Sequence, residues 1–242
     1  MFNINHIKLE AINSTNDYAL SLKDSIVFKE GLVVTSSYQS GGYGQRGKTW
    51  LSSNKENLLL SVIIEPKIKL DEQFLISKIV SLSLCDLLNS LNIDAKIKWP
   101  NDILVNKQKI AGILIQNKLK GNYITHSVIG LGLNVNQLVF EVFSPLATSL
   151  RLQLSNVYDV SNVQSQFLSF LFERLKRLKA GENQENEYLK VLFLKDKLAA
   201  FESNNKQFMG IIKGVSESGA LLVQLENDSI YAFENQQIKY LF

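Results

Sequence analysis

Apolar and polar residues alternate from Ile7 to Ile12, the period of a strand with one buried face. Ser14-Thr15-Asn16-Asp17 then offers several side chains able to cap a short helix running through Leu22. Val33 to Tyr38 reads as a second strand. It leads into Ser40-Gly41-Gly42-Tyr43-Gly44-Gln45-Arg46-Gly47, too rich in glycine to hold one regular structure without outside contacts. The continuous apolar run Leu58 to Ile64, ended by Glu65-Pro66, predicts a buried strand. About Asp71 to Leu91 is long enough for a helix. Phe74, Leu75, Ile76, Ile79, Val80, Leu84, Leu87, Leu88 and Leu91 cover most of its circumference, which places it deep in the core.

The centre of the chain predicts strands at Ala95 to Trp99, Ile103 to Asn106, Lys109 to Gln116 and Tyr123 to Leu131, with Asn106-Lys107-Gln108 as a hairpin turn. Val160, Val163, Phe167, Leu171, Leu175 and Leu178 recur at helical spacing, with Ser161 as a local cap, and a further helix is expected over Glu185 to Leu194. Beyond it the period shortens to strands at Gln207 to Gly214, Ala220 to Leu225 and Ile230 to Phe233, a small β-barrel or β-sandwich beginning near residue 195. Strands and helices alternate irregularly. That pattern favours a mixed arrangement over a regular barrel of βα units.

A length of 242 residues with 45% hydrophobic and 20% charged residues allows one large domain and one small one. Lys+Arg 26 against Asp+Glu 23 leaves a net charge of +3, too balanced for the electrostatic footprint of a general nucleic-acid binder, so any basic site is local. Cys85 is the single cysteine, which excludes an intramolecular disulfide and a Cys-based structural zinc site and makes a reducing cytoplasm the expected location. Its place inside the apolar helix argues against thiol catalysis. The N-terminus lacks a secretory pattern, and no run approaches the roughly 18 apolar residues of a membrane span. His6 and His126 have no partner at metal-ligand spacing, and Lys67, Lys69, Lys118 and Lys120 read as solvated faces.

Three constellations could carry chemistry. The loop Gln39 to Trp50 combines glycines, whose exposed N–H groups can bind anionic oxygens, with Arg46, the only arginine before Arg151, and Lys48. It matches the spacing of neither a P-loop nor a dinucleotide fingerprint, and on its own it could be a solvated connector. In Lys98-Trp99-Pro100-Asn101-Asp102, alternation turns Lys98 away from Ile97 while Pro100 ends the strand. This is either a cation held for a carboxylate or phosphate, or a surface turn. Gly130 and Gly132 leave one face of a strand bare in Gly130-Leu131-Gly132-Leu133-Asn134, either for close approach of a ligand or as a bulge.

In this order and spacing the motifs resemble the biotin–protein ligases. Ser14-Thr15-Asn16 resembles the family's biotin-contact segment, and Tyr38-Gln39 with Gly42 to Trp50 resembles its glycine-arginine loop. The most specific match is Lys98 to Asp102 followed by Lys109-Ile110-Ala111-Gly112-Ile113-Leu114, and Gly130 to Asn134 completes it. The resemblance implies an α+β fold of the class II aminoacyl-tRNA synthetase/biotin ligase type: a mixed, largely antiparallel sheet flanked by helices. Residues 1–194 would form the catalytic domain and 195–242 a small SH3-like β-barrel.

It also implies a two-step reaction. Biotin's carboxylate attacks the α-phosphate of ATP, giving biotinoyl-5′-AMP and pyrophosphate, and a lysine amine of a biotin carboxyl carrier protein then displaces AMP. Ser14, Thr15, Asn16, Gln39, Gly42, Tyr43, Gly44, Gln45, Lys98, Gly112, Ile113, Leu114, Gly130 and Gly132 would bind biotin. Arg46, Lys48, Trp50, Asn101 and Asn134 would bind ATP, with Trp50 stacked on adenine. Lys98, Arg46 and Lys48 would offset the repulsion between two anions, where losing one donor typically costs about 100- to 1000-fold in rate. Mg²⁺ would be shared with the ATP phosphates, needing few protein ligands. The loop would fold over the adenylate and keep water from the anhydride.

Two departures stand out. Tyr43 and Gln45 replace arginines common in the family's loop, which implies a looser hold on the adenylate, since a neutral amide does not replace a charge-assisted contact. The match also begins within about ten residues of Met1, so the expectation is a ligase without the DNA-binding helix-turn-helix of some members, with no DNA or membrane partner. The competing readings are a lipoate or octanoate ligase or transferase of the same superfamily and a non-catalytic biotin-binding module. Asp102 is open between a general base and a residue that shapes the turn, and pairing of two copies into a homodimer through a sheet edge is open too.

Overall fold

The computed structural model describes residues 4–141 and 145–241, apart from the side chain of Arg46. In chain order it runs β1 (Asn5–Ile12), α1 (Thr15–Ser21), β2 (Leu32–Gln39), β3 (Asn57–Ile64), β4 (Ile68–Lys69), α2 (Phe74–Ser90), β5 (Ala95–Lys98), β6 (Asp102–Val105), β7 (Gln108–Lys120) and β8 (Tyr123–Asn134). It continues with α3 (Leu150–Leu154), α4 (Val160–Lys179), α5 (Glu185–Val191), β9 (Leu198–Ser203), β10 (Lys206–Val215), β11 (Leu221–Gln224), β12 (Ile230–Phe233) and β13 (Lys239–Leu241).

The larger sheet has the order β1-β2-β3-β8-β7-β6-β5, with β4 on the end of β8. Only β1 and β2 pair in parallel; the other pairings are antiparallel, which gives the mixed, largely antiparallel sheet expected. All eight residues of β3 are buried because both of its faces are covered. Leu58, Leu60, Val62 and Ile64 enter the main core with α2 and α4, whereas Ile63 joins Ala19, Phe28, Leu32, Val34 and Val128 in a smaller cluster beneath α1. The second sheet has the order β12-β11-β10-β9-β13, and its Phe201, Ile212, Leu221, Val223 and Tyr240 belong to the same main core.

Polar ties hold the helical layer. Arg174 of α4, almost wholly buried, donates to Asp86 of α2 at 2.8 Å, to Gln184 at 2.8 Å and to Glu187 of α5 at 3.0 Å. Buried Lys78 of α2 pairs with Glu185 and lies 5.6 Å from the Phe74 and Tyr188 ring centroids. The indole of Trp99 donates to the Gly219 carbonyl at 2.9 Å, joining the turn after β5 to the second sheet.

Several expectations are adjusted. The hairpin turn is the two residues Asn106-Lys107, both at positive φ (50° and 63°), and Gln108 already belongs to β7. The β7–β8 hairpin is longer than periodicity predicted, reaching Lys120 and Asn134. Asp159, not Ser161, caps α4: its carboxylate accepts from the Ser161 N–H at 2.9 Å. The helix expected to Leu194 ends at Val191, where the following residues turn to bond β5 through Phe193 N–H and the Ile97 carbonyl. Sequence periodicity missed the short elements β4, α3, β9 and β13.

Candidate active site

A cavity of about 520 Å³ opens where the start of α1, the glycine loop after β2, the turn between β5 and β6, the bare faces of β7 and β8, and the segment leading into β13 converge. It collects Ser14, Thr15, Asn16, Gln39, Tyr43, Gly44, Gln45, Lys48, Trp50, Lys98, Asn101, Gly112, Ile113, Leu114, Gly130 and Gly132. Gly42 and Asn134 are not in that wall. Gly42 lies on the outer side of the loop, its carbonyl accepting from Trp50 N–H at 2.9 Å, and buried Asn134 donates to the Thr148 carbonyl at 2.9 Å. The Arg46 side chain lies outside the described residues; its backbone belongs to a 3-10 turn at Gln45–Gly47.

One end of the cavity is a prearranged hydrogen-bond network. Ser14 caps α1 by accepting from Asp17 N–H at 3.3 Å, which turns the buried Thr15 and Asn16 inward. Thr15 N–H donates to Gln39 Oε1 at 2.7 Å, and the Ser61 hydroxyl lies 2.8 Å from Thr15 Oγ1 and 2.5 Å from Asn16 Oδ1. The Asn16 amide donates to Gln116 Oε1 at 2.8 Å. Gly130 is needed here for room: a Cβ on it would stand 2.4 Å from Asn16 Oδ1. Buried and half-buried polar groups fixed in this way suit a ligand head that needs several oriented partners.

The other end is cationic. Asp102 bonds Lys109 Nζ at 2.6 Å and lies 3.7 Å from Lys98 Nζ, which also sits 5.3 Å from the Tyr240 ring centroid. Burial lowers the Lys98 pKa below its ordinary 10.5, with Asp102 opposing the shift. Asn101 holds the turn in place by donating its amide to the Ile113 carbonyl at 2.9 Å and accepting from Ile113 N–H at 3.0 Å. Lys48, Lys98, Lys109 and Lys239 against the single carboxylate Asp102 leave the described wall positive, the sign required to bring a carboxylate and a phosphate together.

Between the two ends lies the Trp50 indole. It covers Gly132 so closely that a Cβ there would meet its Cε2 at 2.3 Å, and a Cβ on Gly112 would meet Cζ3 at 3.1 Å. Lys109 Nζ is 5.5 Å from the ring centroid, and the buried indole N–H has no hydrogen-bond partner among the described residues. The loop carrying it is pinned by Tyr43, whose hydroxyl donates to Asp17 at 2.6 Å; burial and then that bond raise the Tyr43 pKa.

Sequence reasoning gave Lys109 no role. Simple alternation puts it on the opposite face from Gly112, but the β6–β7 register shifts so that Asp102 pairs with Gly112, Ile103 with Ala111 and Leu104 with Lys109, leaving Ile110 as the extra residue. This bulge turns Lys109 toward Asp102. Asn235, Gln236, Ile238, Lys239 and Tyr240, which also line the cavity, carry no local signal.

Among the described residues no three His, Cys, Asp or Glu side chains gather as a metal site. Asp102 is the one described carboxylate in the wall and is engaged by lysines, so the residues fit a Mg²⁺ ion held mainly by the phosphates it travels with.

Residues 9–134 match the Biotin/lipoate A/B protein ligase family. The chain is 28% identical over 230 residues to the bifunctional ligase/repressor BirA of Escherichia coli, covering 92% of this chain and 69% of that protein. It is 31% identical over 142 residues to the biotin–[acetyl-CoA-carboxylase] ligase of Mycobacterium tuberculosis, covering 57% of this chain and 51% of that protein. Its fold is similar to that of the biotin protein ligase from Aquifex aeolicus in complex with biotin and ATP, at a TM-score of 0.80 and 23% identity, covering 98% and 99% of the two chains.

Proposed function

From the premise that this chain belongs to the Biotin/lipoate A/B protein ligase family, we propose that it activates biotin with ATP and transfers it to a lysine of a carrier protein. It is a ligase whose substrates are ATP and biotin. In the first step a biotin carboxylate oxygen bonds to the α-phosphorus and pyrophosphate leaves; in the second an amine bonds to the acyl carbon, AMP leaves and the amine sheds a proton. The observation that carries the assignment is one cavity with a prearranged polar network at one end and a lysine cluster at the other, with the Trp50 indole between.

On this reading the network of Thr15, Asn16 and Gln39 takes the polar head of biotin, with Ser14 holding the start of the helix. Tyr43, Gly44, Gln45, Ile113 and Leu114 flank the substrate. Gly130 and Gly112 keep the floor low enough for Asn16 and the indole, and Trp50 stacks on adenine from its place over Gly132. Lys98 and Lys109, with Lys48 and Arg46 from the loop, offset the charge of carboxylate and triphosphate. Mg²⁺ supplies charge neutralisation on the phosphates when bound. Asp102 holds two lysines in register, which supports a positioning role over that of a free base. Gly42 and Asn134 act indirectly, through the loop backbone and the end of β8.

Residues 1–194 serve as the catalytic unit and 195–242 as the C-terminal unit. The acceptor is a biotin carboxyl carrier protein, and the chemistry calls for neither DNA nor a membrane; among the described residues no helix is long and apolar enough to cross one. The reaction belongs to the cytoplasm, in keeping with a single, free, buried cysteine. A homodimer would form along β1, an edge strand of the large sheet, since β5 at the other edge is bonded by Phe193.

The test is pyrophosphate release from ATP and Mg²⁺ with biotin, lipoate or octanoate. Release with biotin alone is expected. Release favouring lipoate or octanoate would move the chain to the other branch of its family, and none with any acid would leave a binding module.

A further inference from the structure

The loop at Gly42–Trp50 is a miniature hairpin. Tyr43 bridges Thr49, Gly44 N–H donates to the Lys48 carbonyl at 2.6 Å, and Trp50 N–H donates to the Gly42 carbonyl at 2.9 Å. Tyr43 fastens its base to Asp17 at 2.6 Å. Its tip is fastened elsewhere: the Asn235 amide donates to Gln45 Oε1 at 2.8 Å, across 190 residues of chain. Asn235 belongs to a turn that is itself fixed, with Glu234 N–H donating to Gln237 Oε1 at 2.8 Å and Gln237 N–H donating to the Glu234 carbonyl at 3.0 Å. The turn leads directly into β13, whose Lys239 and Tyr240 line the cavity.

We infer that Asn235 is a positioning residue of the active site, holding the glycine loop over the substrates by bonding Gln45. Gln45 is a neutral amide, a poor phosphate ligand but a good partner for a second amide, and here it links the loop to the C-terminal sheet. Because the donor is anchored at both sides of its turn, little of the bond is lost to ordering that side of the pair. One net hydrogen bond of this kind corresponds to about a 2- to 10-fold change in the population of the closed loop. The consequence is retention: a latched loop keeps the activated acyl group from water until an amine arrives.

The inference rests on the ligase reading for its consequence but not for its geometry, so two measurements separate them. Hydrogen exchange of the ligand-free full-length protein reads the latch without any chemistry. Asn235→Ala and Gln45→Ala should each speed exchange at Gly44 to Lys48 by about 2- to 10-fold, the double variant should add little more, and β9 to β11 should be unmoved. The exchanged pair Gln45→Asn with Asn235→Gln, which keeps two amides and their combined reach, should restore protection. With biotin, ATP and Mg²⁺, Asn235→Ala should release more free adenylate per biotin transferred, with the KM for biotin changed less than that partition. Unchanged loop exchange in Asn235→Ala would overturn the latch even in an active enzyme. Faster exchange in a protein that makes no pyrophosphate would keep the latch and sink the ligase reading.

Discussion

Gly132→Ala perturbs the site by one methyl group whose effect can be worked from the structure. The new Cβ would stand 2.3 Å from Trp50 Cε2, 2.5 Å from Cζ2 and 2.7 Å from Nε1, so the indole must withdraw by about 1 Å to reach ordinary contact. β8 cannot yield instead, because Gly132 pairs with Leu59 of β3 on one side and Gly112 of β7 on the other. Forcing a group into packed surroundings costs about 1–3 kcal/mol, which as lost nucleotide affinity is about 5- to 150-fold. Gly112→Ala touches the far edge of the same ring at 3.1 Å and the flexible end of Lys109 at 3.3 Å, so its effect should be smaller, at most about tenfold. Calorimetric titration of ATP in the presence of biotin measures both, and intrinsic fluorescence reports the ring. Of the two tryptophans, Trp99 is buried and bonded to Gly219, so an emission change in Gly132→Ala belongs to Trp50. Wild-type ATP affinity and wild-type emission in Gly132→Ala would refute the placement of the indole over Gly132.

Other outcomes follow from the same geometry. Lys98→Ala and Lys109→Ala should each slow pyrophosphate release by about 100-fold or more with little change in melting temperature; near-normal turnover in either removes that lysine from the mechanism. Because burial lowers the Lys98 pKa, its proton is lost at lower pH than from a free lysine, so activity should fall on the alkaline side below 10.5, and Lys98→Arg should move that limb upward. The same shift means the fold binds fewer protons than the unfolded chain between the two pKa values, so the Lys98 contribution to stability rises with pH across that window, visible in denaturant titrations of wild type against Lys98→Met. Arg174→Ala takes the buried partner from Asp86 and leaves Glu187 with Arg177 alone, and should cost about 3 kcal/mol by urea unfolding; a loss under 1 kcal/mol would count against a structural role. Cys85, its thiol pushed up to about 12 by burial, should resist alkylation at pH 8 until the chain is unfolded, and rapid labelling of the native protein would contradict its burial.

What could be read from the chain alone was whatever its own neighbours encode. The apolar circumference of α2 and the continuous run of β3 announced buried elements because their burial is dictated by their own composition. Ser14 to Asn16, the glycine loop and Lys98 to Asp102 were legible because short motifs carry their own backbone chemistry. Lys109 was hidden by one extra residue at Ile110, since a bulge reverses the facing that alternation assigns. Asp159 was passed over as a cap in favour of Ser161, although both stand at the same helix start. The cavity wall from Asn235 to Tyr240 depends on how the second sheet docks, a relation no local period contains. Gly130 and Gly132 were recognised as making room, but the occupants of that room are Asn16 and Trp50 of this same chain.

The most direct test of the central claim is transfer of labelled biotin to a purified biotin carboxyl carrier domain by the full-length protein with ATP and Mg²⁺. Label should appear on a single carrier lysine, with one AMP and one pyrophosphate formed per biotin, and should vanish when ATP is omitted. Label that requires no ATP, or ATP cleavage that responds to lipoate and not to biotin, would contradict the account.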